Sequence, residues 1–157
     1  FIEVLRVGLV APYYLCMLFK DYFARNASVV NISSTRASQS QRDTESYSAA
    51  KGGITSLTHA LAMSFAGNVR VNSIMPGWID VSPWQQDGID AQVSVPDMVQ
   101  HPSGRIGRAE DVAAMVFFLC GHEAAFIDGE SIVIDGGMTR RMIYHNDEGW
   151  ALKADFS

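Results

Sequence analysis

The sequence predicts an α/β fold, a doubly wound parallel sheet in a three-layer α/β/α arrangement. Three observations predict it. Short, β-branched apolar runs recur at residues 27–33, 69–75 and Ser131–Ile134. They are continuous rather than alternating, as strands covered on both faces are. Segments between them carry apolar residues at helical spacing. The order strand, helix, strand, loop, helix, strand joins parallel neighbours through crossovers that are right-handed as a rule. With 157 residues, 48% hydrophobic and 18% charged, the chain suits one domain with its own core.

Residues 2–24 read as a helix with Leu5, Leu9, Cys16, Phe19 and Phe23 in its core stripe. Its middle, residues 9–19, is apolar almost all round, so it must pack on its own sheet and on something else. That second surface is either deep core or a subunit interface. Pro12 cannot donate to the carbonyl of Gly8, which predicts a kink with a freed carbonyl there. The first strand, 27–33, follows. A second helix starts at Thr44 or Glu45 and lasts to about Phe65, with Ile54, Leu61 and Phe65 along one face beside Ala50 and Leu57. Gly52 and Gly53 inside it cost about 1–2 kcal/mol relative to alanine. Such a cost points to a close approach by another element. Gly67 and Asn68 end the helix.

The strand 69–75 is broken by Pro76-Gly77. Residues 82–107 show no periodicity and contain Pro83, Pro96 and Pro102. That is too long for an ordinary connection, so the stretch reads as a lid or substrate loop, with Trp84, Ile89, Val93 and Met98 as apolar contacts. A plain surface loop is the alternative. Ala109–Cys120 is a third helix, with Val112, Met115, Val116 and Leu119 on one face. The tail, 138–157, carries Arg140, Arg141, Tyr144, His145 and Trp150. Its aromatics suggest packing over the site or a neighbouring subunit rather than a loose end.

Chemistry centres on Ser34, Tyr47 and Lys51. Tyr47 and Lys51 are four apart, one helical turn, on the face that continues through Ile54. A lysine on a core face either snorkels to the surface or has work there. The Tyr-x-x-x-Lys pair alone says little, since composition gives it by chance in roughly one chain in three of this length. Ser34 adds weight because it lies just past a buried strand, where open α/β sheets place their ligands. The polar residues 35–44 are enough to carry the chain back to the helix start. In general an ammonium about 5 Å from a phenol, at an effective dielectric of about 20, favours phenolate by roughly 3 kcal/mol. That brings a phenol toward the range useful for acid–base catalysis.

Other classes are disfavoured. A net charge of −5 argues against a nucleic-acid binder. No apolar run is read as reaching membrane-spanning length, and no signal-peptide pattern opens the chain. Cys16 and Cys120 each sit in a helical apolar setting without a metal or redox motif, so both read as free buried thiols in a reduced, cytoplasmic setting. His59, His101, His122 and His145 show no ligand spacing, and no metal site is expected.

Asn31-Ile32-Ser33-Ser34, with Tyr47 thirteen residues after Ser34 and then Lys51, resembles the active-site segment of the classical short-chain dehydrogenase/reductase family. So do Arg70-Val71-Asn72-Ser73-Ile74-Met75-Pro76-Gly77, Phe126-Ile127-Asp128-Gly129 and Ile134-Asp135-Gly136-Gly137. The similarity runs in order over about residues 1–142. It implies the carboxyl-terminal part of a Rossmann-like sheet, with the phosphate-binding first half absent. The chain starts at Phe1 without Met, and it holds no G-x-x-x-G-x-G.

The resemblance implies an NAD(P)-dependent oxidoreductase interconverting a small-molecule alcohol and carbonyl. Tyr47 would be the general acid/base, Lys51 would favour its phenolate and hold the nicotinamide ribose, and Ser34 would bind the substrate oxygen. Ile32, Pro76, Gly77 and Ile79 would join Tyr47 and Lys51 in lining NAD or NADP, and Trp84 would contact substrate. The Gly8 carbonyl would hold a relay water where the family usually has asparagine, and Val81 stands where it often has threonine. The first helix and the Tyr47 helix would pair in a homodimer or homotetramer. Two readings compete: a non-catalytic oligomerisation fragment, and an extended-type epimerase or dehydratase. Asp135-Gly136-Gly137 argues against the latter.

Overall fold

A computed structural model describes residues 1–85 and 92–151, apart from the Glu148 side chain. Ile89 of the expected lid and residues 152–157 of the tail lie outside the described residues. Three parallel strands form the main sheet in the order β1 (Ala27–Ile32), β2 (Val69–Pro76), β5 (Ser131–Ile134). β1 pairs with β2 from Ala27 opposite Val69 to Ile32 opposite Ile74, and β2 pairs with β5 from Ser73 opposite Ser131 to Pro76 opposite Ile134. Pro76 is thus the last residue of β2, where a missing N–H breaks no further ladder. A second parallel pair, β3 (Ile79–Asp80) with β4 (Gly107–Arg108), was not expected from sequence. Two-residue strands carry no readable period.

Alternation along the strands decides the layers. Val69 and Val71 point to one face and pack with Cys16, Leu61 and Ala62. Ile74 points to the other and packs with Leu119 and Ala124, with Val30, Ile132 and Ile134 around them. The first face is covered by α1 (Ile2–Tyr22) and α2 (Glu45–Ser64), the second by α4 (Ala109–Cys120). This is the three-layer α/β/α arrangement.

Helix α1 departs from the simple helix with a kink. Its turn Arg6–Val10 is π-helical, and the Ala11 N–H donates to the Arg6 carbonyl, five residues back. The widened turn comes immediately before Pro12, where the ring would crowd an ordinary α turn. Helix α1 also lies very close to α2. A Cβ on Gly8 would stand 3.0 Å from the Ala50 Cβ, and one on Gly53 would stand 2.6 Å from Leu9. The close approach expected at the Gly52-Gly53 pair is therefore made at Gly53.

By length and composition, Ile2–Tyr22 is apolar enough to cross a membrane, which corrects the reading that no run reaches that length. One of its faces is seated on α2; the other is open, with Leu18 at 67% and Tyr22 at 83% exposure. Cys120 is exposed rather than buried, which corrects its expected setting; Cys16 is buried. The stretch 82–107 holds a short helix, α3 (Val95–Val99), capped by Ser94, whose hydroxyl accepts from the Asp97 N–H while the Asp97 side chain returns the bond.

Long-range hydrogen bonds tie β2 to the turn before β5. Asn72 donates to the Ile127 carbonyl at 2.8 Å and accepts from the Glu130 N–H at 3.0 Å. Asp128 accepts from the Val71 N–H at 2.8 Å, and the Ser73 and Ser131 hydroxyls meet at 2.6 Å. The motifs 70–77 and 126–129 thus complete each other.

Arg105 grips Asp111 through two hydrogen bonds of 2.7 Å, and the Arg108 N–H donates to the same carboxylate at 2.8 Å. The Arg105 bonds first, then the Arg108 N–H, hold the Asp111 carboxyl well below its ordinary range, at about 2. A depressed carboxylate contributes its stability above the unfolded value and loses it as pH falls through the folded one. Solvent screens this half-exposed pair. Asp111→Asn should therefore lower stability by about 1 kcal/mol at neutral pH, and the gap should close between about pH 4 and pH 2 in urea melts. A gap that persists at pH 2 would deny the ion pair its role. Gly77 is the other test: a Cβ there would stand 2.6 Å from the Asp135 Cβ and 3.0 Å from its Cα. Backbone cannot yield cheaply, so Gly77→Ala should cost about 1–3 kcal/mol, read as a lower denaturation midpoint.

Candidate active site

The site is built where β1 ends. Two side-chain bonds fix α2 against β1: Asn31 donates to Thr58 at 3.0 Å, and the Ser33 hydroxyl donates to the Lys51 carbonyl at 2.8 Å. Asn31, Ser33 and Thr58 are all buried, so these polar groups must be paired, and the pairing sets how far along the strand the helix sits. That register decides where Tyr47 and Lys51 stand relative to Ser34.

Ser34 is buried at the strand tip and caps the 3-10 turn Thr35–Ala37. Its Oγ accepts from the Arg36 N–H at 3.2 Å. With that lone pair engaged, its O–H is free to donate outward. Tyr47, on the first half of α2, is 40% exposed. The Lys51 ammonium lies over its ring, 5.6 Å from the centroid, and donates to the Ile32 carbonyl at 2.8 Å. Ser34, Tyr47 and Gly77 line one cleft of about 940 Å³.

The other expected residues fall as follows. Gly77 continues the ladder past Pro76, its N–H donating to the Ile134 carbonyl at 2.9 Å. Ile79 packs where a Cβ on Gly107 would stand. Trp84 is 72% exposed and is not among the residues lining the cleft; Trp78 is. Gly8 lies against Ala50 on α2, where the close packing leaves room for little beyond glycine. Asp97 and Gln100, from α3 and its end, and Met138, Arg141, Ile143 and Trp150, from the tail, also line the cleft.

Several of these were missed from sequence. Arg36 carries a cue, standing two residues past Ser34, and Trp78 directly follows the Pro-Gly break. Arg36 sits over the Tyr47 ring, 5.9 Å from the centroid. Behind the cleft, His101 is buried below Trp78, ring to ring 6.3 Å, with Nδ1 on the Asp97 carbonyl at 2.9 Å. Its Nε2 has no partner among the described residues.

The Asp135-Gly136-Gly137 turn packs against Gly77, which lines the cleft. Gly136 and Gly137 both have left-handed backbone (φ 62° and 86°). The Gly136 carbonyl accepts from the Ser103 N–H at 3.0 Å, and Pro102 lies against Gly137. Asp135 is buried, which works to raise its carboxyl. Hydrogen bonds from Thr139 and Gly137, helped by Arg140, outweigh that and hold it below the usual range. It is a structural brace rather than a proton carrier. Among the described residues no cluster of His, Cys, Asp or Glu could hold a metal ion.

Known proteins share this architecture. A family profile described as enoyl-(acyl carrier protein) reductase matches residues 1–139. An uncharacterised oxidoreductase of Thermotoga maritima is 45% identical over 149 residues, covering 90% of this chain and 58% of that protein. Among solved structures, an apo SCOR enzyme from Clostridium thermocellum is 44% identical with a TM-score of 0.82, covering 97% of this chain and 58% of that one. A putative 2-deoxy-D-gluconate 3-dehydrogenase from Agrobacterium tumefaciens, with bound NADP, is 30% identical with a TM-score of 0.73, over 86% of this chain and 56% of that one. The chain thus spans a little over half the length of these relatives. A profile that matches nearly the whole chain, together with relatives at this identity, places it plainly: the chain is a member of the classical short-chain dehydrogenase/reductase family, which uses NAD or NADP.

Proposed function

We propose that this chain carries the catalytic face of an oxidoreductase that interconverts an alcohol and a carbonyl with NAD or NADP. One observation supports it most: Ser34 and Tyr47 line a common cleft, with the Lys51 ammonium 5.6 Å from the Tyr47 ring. The donor set suits the nicotinamide-ribose end of the cofactor. Lys51 offers N–H donors and the Ile32 carbonyl an acceptor for ribose hydroxyls, beside the Pro76-Gly77 break. When bound, the cofactor supplies or accepts the hydride.

The chain's own residues handle the proton. In the reducing direction Tyr47 donates to the substrate oxygen, and the Ser34 hydroxyl donates to that oxygen as well. Negative charge left on the phenol oxygen is stabilised by Lys51. The Gly8 carbonyl, at the π turn, would hold the water that returns the proton. Ile79 would contact the cofactor and Trp84 the substrate, although neither lines the cleft. Residues 82–107 would act as the substrate lid, with Trp78 at its base. The free thiols Cys16 and Cys120 suit a reduced, cytoplasmic setting.

A second feature supports self-association as a homodimer or homotetramer. The outer face of α1 leaves Val7, Tyr14, Leu15 and Leu18 more than half exposed. A patch of this kind on a packed helix marks an interaction surface, and a second copy of α1 and α2 would cover it. Leu15→Glu and Leu18→Glu together should lower the sedimentation coefficient to that of a monomer; an unchanged value would remove α1 from the interface.

For the chemistry, Tyr47→Phe in the intact protein should lower kcat by at least about 100-fold with an unchanged melting temperature. Lys51→Met should lower kcat and also raise the cofactor KM. Near-normal turnover in Tyr47→Phe would remove that residue from the mechanism. Calorimetric titration of the folded chain with NAD and NADP separates the catalytic reading from a non-catalytic oligomerisation fragment, for which no heat is expected.

A further inference from the structure

The cleft carries a charge of the wrong sign for its chain. The whole sequence has 12 basic and 17 acidic residues. Among the described residues lining the cleft the basic ones are Arg36 and Arg141, and the acidic one is Asp97. Asp97 is turned to its own helix: its carboxylate accepts the Ser94 N–H at 2.8 Å and the Ser94 hydroxyl at 2.6 Å.

Arg36 is the better placed of the two cations. Its backbone N–H is bonded to the Ser34 hydroxyl oxygen, so it is fixed to the group that would hold the substrate oxygen. Its guanidinium lies over the Tyr47 ring, 5.9 Å from the centroid, beside the group that would move the proton. The side-chain partner it has is the neutral Gln41 amide, not a carboxylate. The residue as a whole is half-buried, and its guanidinium reaches Gln41 at the surface of the cleft. A guanidinium has five N–H donors in a planar fork, and one amide oxygen leaves most of them unused. A guanidinium with a neutral partner, lining an open cleft, fits a planar anion that binds through two parallel hydrogen bonds.

We propose that Arg36 selects substrates carrying a carboxylate, so that the protein acts on small hydroxy acids and the matching oxo acids. This rests on the oxidoreductase reading above. The carboxylate pairs with Arg36 while the alcohol oxygen sits between Ser34 and Tyr47. With the guanidinium 5.9 Å from the Tyr47 ring centroid, the acid group lies within a few bonds of the reacting carbon. On oxidation, the alcohol carbon gives its hydride to the nicotinamide ring and the hydroxyl gives its proton to Tyr47. One C–H and one O–H bond break, a C=O forms, and the oxidised dinucleotide becomes the reduced one. The carboxylate is unchanged and serves as a handle.

The experiment compares 3-hydroxybutyrate with 1,3-butanediol, its uncharged counterpart, in the intact protein with NAD and with NADP. The acid should be the better substrate by kcat/KM. Arg36→Gln should raise its KM by about 10- to 100-fold, as expected for a lost charge-assisted bond, and leave the KM of the diol in place. Arg36→Lys, which keeps the charge and loses the fork, should fall between. A readout without turnover uses butyrate as the probe: its calorimetric affinity should fall at least about tenfold in Arg36→Gln. Preference for the diol, or equal effects of Arg36→Gln on both compounds, would overturn the proposal and leave the oxidoreductase reading standing. Turnover of neither compound, with no heat on titration of the protein with NAD or NADP, would overturn both.

Discussion

The buried hydrogen bonds between β1 and α2 carry the rest of the site. A strand and a helix packed by apolar contacts alone can slide, because the hydrophobic effect is non-directional. Asn31 on Thr58 and Ser33 on the Lys51 carbonyl remove that freedom. Their cost if broken is the desolvation of several buried polar groups at once, about 1–3 kcal/mol each. The same two bonds place the start of α2 beside the tip of β1. Ser34, one residue past the clamp, and Tyr47, one turn ahead of Lys51, then face a common space without any further device.

Charge is arranged around that space in a consistent way. Lys51 lies over the Tyr47 ring and bonds the Ile32 carbonyl; Arg36 lies over the same ring and is anchored to Ser34. Acidic groups nearby are spent elsewhere: Asp97 caps α3, and Asp135 braces the glycine turn packed against Gly77. A chain with net negative charge thus gathers basic side chains around the Tyr47 ring.

The layers, the strands and α2 were legible because their signals are local. A continuous apolar run such as Val69–Pro76 and a 3.6-residue stripe through Ile54 and Leu61 do not depend on distant partners. Ser34, Tyr47 and Lys51 were legible because their spacing encodes one helical turn and one strand tip. The rest depends on neighbours that sequence does not announce. The π turn in α1 reflects Pro12 acting together with the crowding of Gly8 on Ala50. The helix Val95–Val99 had a signal in Ser94 and Asp97, three apart, but Pro96 inside it and Pro102 shortly after masked it. Arg36 sits on Tyr47 across eleven residues of chain, and Trp78 rather than Trp84 lines the cleft, a choice between two tryptophans six residues apart that no local pattern makes. Cys120 is exposed because it is the last residue of its helix, where an apolar stripe no longer guarantees cover.

The bonds that tie β2 to the turn before β5 have a consequence for biosynthesis. Asn72 and Ser73, wholly buried in the finished fold, find partners 55 to 58 residues further along the chain. At ribosomal rates of about 5–20 residues per second, β2 emerges several seconds before those partners do. During that interval an apolar strand waits with an unpaired edge and orphaned amides, the state most prone to sticking to its neighbours. Between the appearance of Pro76 and the appearance of Ser131 the nascent polypeptide therefore carries that edge uncovered.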